Sequence, residues 1–279
     1  MIISWGPVLA LLSSLVWGTS DFGGGLASKR AGALHVVAYS QAAGLVVIAV
    51  AAVVTGAYTA PLDYLPWAAL AAVSGAGGLV CFYSALASGR MGVVAPIAAL
   101  GVLVPVLVGL AQGERPGVLQ LLGAAAGVVG VVMAAGPELS GGTGARPVLL
   151  AVCAALGFGV ALASLGMGAQ TSSVMTVLGM RVVSVLSFAL ILSRIGNAAA
   201  PRGTNLLLTL AVGVGDVTAN LLFSVATTMG MLSLTSVLGS MYPLATVLLA
   251  RIVLGERLSR LQQVGVAIGL TGVVLIAAG

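Results

Sequence analysis

Charge is what this sequence has least of. Only 6% of its 279 residues are Asp, Glu, Lys or Arg, while 60% are hydrophobic; soluble globular domains carry roughly 25% charged residues. So few charges cannot cover a water-facing surface, which excludes a soluble enzyme or a soluble binding module. Cysteine is nearly absent too. Cys81 and Cys153 both lie inside apolar runs, where a small hydrophobe is the ordinary reading, so neither a disulfide nor a metal site is inferred. No Gly-x-x-x-x-Gly-Lys-Ser/Thr loop occurs, and there is no polar segment large enough to house a nucleotide-binding domain, which argues against ATP-driven work by this chain alone. No cofactor is expected. The net charge of +5 comes from 11 basic residues scattered singly between apolar runs. That pattern suits anionic lipid headgroups and excludes a nucleic-acid patch, which needs clustering on one face.

What is present is apolar length. At about 20 residues per span, the chain has room for ten helices and short connections. Charges, prolines and glycine clusters divide it into spans near 3–25, 33–55, 65–88, 91–112, 116–136, 147–169, 173–193, 204–228, 231–254 and 259–278. The weakest breaks fall at 170–172 and 229–230. The first run lacks a basic n-region and exceeds a signal-peptide core, so it is taken as a retained span. The expected fold is an all-α integral membrane protein. Its forty glycines recur at small-xxx-small spacing, as in Gly123/Gly127 and Gly265/Gly269, which lets helix backbones approach closely in lipid. Tyr64 and Trp67 look like interfacial anchors, and His35 like an interface residue.

The chain also repeats itself. Residues 113–135 align without gaps on 255–277, matching Gly-Glu-Arg, Leu-Gln and the glycines at 123, 127 and 130 to those at 265, 269 and 272. A weaker echo relates Trp17-Gly18 to Phe158-Gly159, and Phe82 to Phe223, about 141 residues on. The halves are 1–136 and 147–279, each with five spans. Five is odd, so the second copy enters the membrane in the opposite sense, giving two inverted five-helix repeats. That plan recurs in secondary transporters, where the halves rock about a midplane cavity.

Several of these residues carry a family resemblance. Trp17-Gly18 with Ser20-Asp21-Phe22, Gly113-Glu114-Arg115, and Ser240-Met241-Tyr242-Pro243 followed by Gly255-Glu256-Arg257-Leu258-Ser259 resemble the ten-helix EamA-type branch of the drug/metabolite transporter superfamily. The resemblance spans the chain in order. It implies a carrier of small metabolites or drugs, often an exporter, in the cytoplasmic (inner) membrane, and not an enzyme. One departure is Gly101, which stands where the repeat alignment puts Pro243, so the fourth and ninth helices need not bend alike.

Ionisable groups inside a span are costly, and the candidates are Asp21, Arg181 and Asp216. Gly213, Asp216, Asn220, Ser224 and Thr227 recur every three or four residues and so share one helical face. Asp216 and Asn220 can line a substrate cavity, Asp216 taking a cation or a coupling proton; equally, Asp216 can form a structural pair with Arg181. Trp17 and Asp21 share a face on the first span. Trp17 stacks on substrate or simply packs; Asp21 contributes to the site or marks a wet helix end. Tyr242 beside the mid-span Pro243 belongs near the cavity. The serines at 74, 84 and 88, with Tyr39 and Gln41 on the second span, look like packing. Glu114 and Glu256 look like capping or interfacial residues. The partners implied are the bilayer, a small-molecule substrate and protons as a candidate coupling ion.

Two rival readings come from other classes. Gly213-Val214-Gly215-Asp216 matches the Gly-x-Gly-Asp pattern of intramembrane aspartyl proteases, with Asp21 as the second carboxylate of a dyad, but the match is short in a glycine-rich chain. A channel lined by small polar residues is the other. Orientation is testable at once. The ten spans put Lys29, Arg30, Arg90, Arg146, Arg194, Arg202, Arg251, Arg257 and Arg260 on one side and Arg115 on the other. The positive-inside rule then sends both ends of the chain outside, whereas the family resemblance implies both in the cytoplasm. From charge, a reporter active only in the cytoplasm and fused after Gly279 stays dark; a bright signal contradicts the charge count.

Overall fold

The computed structural model describes residues 5–88, 94, 97–134, 145–254 and 259–278. Helices α1 (Trp5–Ser28), α2 (Ala33–Thr55), α3 (Leu65–Ser88), α4 (Leu103–Ala111) and α5 (Val118–Ala134) make up the first half. The second holds α6 (Ala145–Ile195), α7 (Thr204–Thr227), α8 (Leu232–Gly239), α9 (Tyr242–Leu254) and α10 (Arg260–Ala278). Among the described residues there is no strand. Four of the helical stretches, 33–55, 62–88, 145–195 and 204–227, are long and apolar enough to cross a membrane unaided; Ile97–Ala111, Val118–Met133 and Arg260–Ile276 are shorter apolar helices. Large apolar side chains such as Val54, Val73, Leu107 and Ile252 face outward, which suits lipid and not water.

Two predicted spans follow one another as two helical segments with almost no loop between them. The 51 residues of α6 cover both the sixth and the seventh span, joined at Ser172, the one residue with non-helical angles (φ −164°, ψ 115°). Its Oγ accepts the Met175 N–H at 3.2 Å, so Ser172 acts as an N-cap for the second segment. Thr176 packs against Gly168 across the turn, where a side chain on Gly168 would collide with it. The small polar residues at 170–172 thus form a tight helical hairpin instead of a loop.

The ninth span is broken in the opposite way. Helix α8 stops at Gly239 and α9 starts at Tyr242. Proline at 243 has no N–H to give the Gly239 carbonyl, so the ladder cannot continue, yet Pro243 is well placed in the first turn of α9. The fourth span is irregular at the matching place: a 3₁₀ turn, Leu100–Val102, precedes α4. The two spans therefore do deviate alike, one repeat apart, although one has Gly and the other Pro; a side chain on Gly101 would collide with the Ala155 carbonyl.

Contacts between the halves come in exchanged pairs. Trp17 packs on Phe223 with ring centroids 5.6 Å apart, and Phe158 packs on Phe82 at 5.5 Å. Gly18 lies against the backbone of Tyr242, and Gly159 against that of Gly101. Gly130 lies on Gly265 and Gly269, and Gly272 on Gly123 and Gly127. In each case residue i of one half meets j of the other, while the repeat of i meets the repeat of j, to within one position for Gly18 and Gly159. That is the signature of a two-fold axis. With five spans per half, the axis lies in the membrane plane.

Glu114 adds a polar tie between the halves. Its carboxylate accepts the N–H groups of Leu232 and Ser233, the latter at 2.9 Å, capping α8 from the α4–α5 connection. Gly109 leaves the room it needs. The expected capping role therefore serves a helix of the other half; Glu256 lies outside the described residues. Tyr64, read as an anchor, and His35, read as an interface residue, are both packed inside the protein. Tyr64 is buried against Gly179 of the α6 hairpin and not spread at the lipid boundary. His35 is also buried, and its Nε2 donates to the Gly196 carbonyl at 3.0 Å.

The glycine contacts set a prediction. A leucine at Gly130 meets the α10 backbone at Gly269, which cannot yield as a side chain can, so Gly130→Leu should exceed the roughly 1–3 kcal/mol typical of overpacking. Size-exclusion profiles in detergent should show the folded peak largely lost; a parental peak height would contradict the close contact.

Candidate functional site

A cavity enclosing about 670 Å³, counting its mouth, lies between the halves. The first half contributes Trp17 and Asp21 from α1, Gln41 from α2 and Leu79 from α3; the second contributes residues of both α6 segments, of α7, and of the α8–α9 break. Its walls are mainly apolar, formed by side chains such as Phe158, Leu162, Leu165 and Met180, with a few convergent polar groups. This is the usual make-up of a small-molecule site.

The polar groups centre on one ion pair. Arg181 Nη2 donates to Asp216 Oδ2 at 2.6 Å, and the two side chains are 2% and 15% exposed. A lone charge here would cost several kcal/mol, and pairing offsets it only if the remaining hydrogen-bonding positions are also filled. They largely are. Trp17 Nε1 donates to Asp216 Oδ1 at 3.2 Å, Asn220 Nδ2 donates to the same oxygen at 3.1 Å, and Arg181 Nη1 donates to Gln41 Oε1. Asn220 can do this because it follows Asp216 by one helical turn. Room for the guanidinium comes from Gly44, where a Cβ would sit 3.4 Å from Arg181 Nε, and α2 nears α7 because Gly213 has no side chain to strike the Ser40 backbone.

Asp21 is the second carboxylate of the cavity, 9% exposed. Its partner is the Tyr83 hydroxyl, which reaches α1 because Gly24 is bare; a side chain there would collide with the Tyr83 ring. Three lining groups have no partner of their own: Arg181 Nε, Ser184 Oγ and the Tyr242 hydroxyl. Buried polar atoms are rarely left so.

All six residues singled out in the sequence, Trp17, Asp21, Arg181, Asp216, Asn220 and Tyr242, line this one cavity. The structural pair and the cavity position, set against each other for Asp216, coexist. Gln41 was read as packing and instead holds Arg181. Ser184 and Tyr83 were missed; Ser184 follows Arg181 by three residues and so shares its face, which was a usable signal. Ser74 and Ser88 do bond back to their own helix. The protease dyad needs two carboxylates sharing a proton, whereas Asp21 and Asp216 are each held by different partners.

A two-fold, multi-pass membrane fold surrounds a cavity lined by both halves. The profile of the EamA-like transporter family matches residues 4–136 and again 145–278, and the chain belongs to that family, whose members are membrane transporters of the drug/metabolite superfamily. A solved crystal structure superposes on 98% of the chain and 96% of its own, with a TM-score of 0.79 at 21% identity, a likeness of fold. No curated protein matched.

The ion pair yields a stability prediction. Arg181→Met leaves Asp216 buried without a cation and should lower stability by about 3–5 kcal/mol; adding Asp216→Leu should recover most of it. Thermal unfolding in detergent reads this out. A single variant as stable as the parent would show that the pair is not needed to hold the charge.

Proposed function

We propose that this protein is a secondary transporter that exports small metabolites or drugs across the cytoplasmic membrane by alternating access, with protons as the coupling ion. One observation carries the reading: a buried ion pair, together with further polar side chains, lines a mostly apolar cavity at the boundary of two halves related by a two-fold axis. The apolar walls favour a substrate with an apolar body, and the ion pair favours a polar or charged end. The halves, 1–136 and 147–279, are the units that rock. The second half breaks at 240–241 beside the cavity, and the first has a 3₁₀ turn at 100–102.

The two carboxylates suit different roles. Asp216, held by Arg181, Trp17 and Asn220, meets the substrate together with Arg181. Asp21, beside the Tyr83 hydroxyl and with no described cation at salt-bridge distance, is the group that carries the coupling proton in this reading.

The test begins with a resistance screen of expressing cells and continues with flux of the identified solute in proteoliposomes. Asp216→Asn should lower flux per folded molecule roughly 10–100-fold, the effect of losing a charged hydrogen bond. Asp21→Asn should abolish the response to an imposed pH gradient. Parental flux from an abundant Asp216→Asn variant would refute the site, and flux indifferent to pH in the parent would refute proton coupling alone.

A further inference from the structure

A second recess lies at one membrane face, outside the central cavity. It encloses about 1180 Å³, counting its open mouth, and is lined by Lys29, Arg30, Gly32, Arg202, Thr204 and Asn205 among others. The first three come from the α1–α2 connection of the first half, the last three from the α6–α7 connection and the start of α7 in the second.

The walls are pinned. Asn205 Nδ2 donates to the Ala27 carbonyl at 3.2 Å, the Gly32 N–H donates to the Ala199 carbonyl at 3.0 Å, and His35 Nε2 donates to the Gly196 carbonyl at 3.0 Å. Each bond joins a residue of one half to a residue of the other, so the recess is a built feature of the boundary.

Its electrostatics are one-sided. Three cationic side chains line it and no carboxylate does. Two helices also start there, α2 after Gly32 and α7 after Gly203; neither has a side-chain cap or an acidic residue in its first turn. Their N-terminal partial positive charges add to those of Lys29, Arg30 and Arg202. No described acid is free to answer this charge. Asp21 and Asp216 belong to the central cavity and Glu114 caps α8. Asp63 sits beyond the far end of α2, roughly 35 Å away by the length of that helix.

We propose that this recess binds a phosphate-type anion, with Lys29, Arg30 and Arg202 as its cationic ligands and the starts of α2 and α7 supplying N–H groups. Cations converging with helix N-termini are the standard means of holding phosphate. At the membrane face the phosphate comes from a lipid headgroup or from solution. Bound there, the anion bridges the two halves and stabilises the arrangement in which the two connections are joined.

The experiment uses the full chain, delipidated in neutral detergent, and follows its thermal midpoint against added phosphatidylglycerol, phosphatidylcholine or inorganic phosphate. A saturable upward shift with phosphatidylglycerol and none with phosphatidylcholine supports the site and assigns it to a lipid. A shift with inorganic phosphate of equal strength supports the site and assigns it to a free anion. The combined Lys29→Gln, Arg30→Gln and Arg202→Gln variant should weaken binding roughly hundredfold, at about tenfold or less per cation. All three side chains are exposed, so the variant should fold; Arg202→Gln alone, with a smaller loss, serves if it does not. Equal response to both lipids with none to phosphate, or an undiminished response in a folded variant, overturns the proposal.

Discussion

Two helices in a bilayer gain nothing by hiding apolar side chains from one another, because lipid tails are as apolar as leucine. What remains is dispersion at close range, and close range requires that nothing stand between the backbones. The contact of Gly130 with Gly265 and Gly269, and its mirror between Gly272 and Gly123 and Gly127, meets that condition on both sides of the two-fold axis. Helices α5 and α10 are thereby fixed as a pair, one from each half. The same device recurs nearer the cavity, where Gly18 and Gly159 lie against the irregular points of the ninth and fourth spans. The cavity exists because these contacts bring two apolar five-span units together without filling the space between them.

Into that space the chain places almost all the charge it carries within its spans. A carboxylate and a guanidinium are tolerated there because they meet each other and because Trp17, Asn220 and Gln41 occupy most of their remaining hydrogen-bonding positions. Arg181 Nε and the hydroxyls of Ser184 and Tyr242, all residues of the cavity lining, are left without partners.

Much of this was legible in the sequence, for physical reasons that differ by residue. The spans could be read because hydrocarbon tolerates no uncovered backbone, so apolar length translates directly into helix. The polar outliers Asp21, Arg181, Asp216 and Asn220 could be placed in one site because a span has nowhere else to put them. The echo of Trp17 in Phe158 and of Phe82 in Phe223 was visible, although only coordinates reveal that the four rings form two exchanged pairs. Other features left no local trace. Ser172 capping the second half of α6 looked like a weak loop, since a hairpin with one non-helical residue needs no turn sequence. The target of Glu114 lies 118 residues away, and no periodicity links them. Gln41 was misread because a buried amide and a packed one look the same until the arginine beside it is seen.

A two-fold fold with its cavity at the boundary of the two halves can expose that cavity to either face in turn, and a pore would need no such symmetry. Solute counterflow in proteoliposomes distinguishes them most directly. Alternating access predicts that labelled solute enters several times faster into vesicles preloaded with the unlabelled compound than into empty ones, and accumulates transiently above its outside concentration. Entry at the same rate with and without preloading, with no overshoot, would contradict alternating access and mark the cavity as part of a channel.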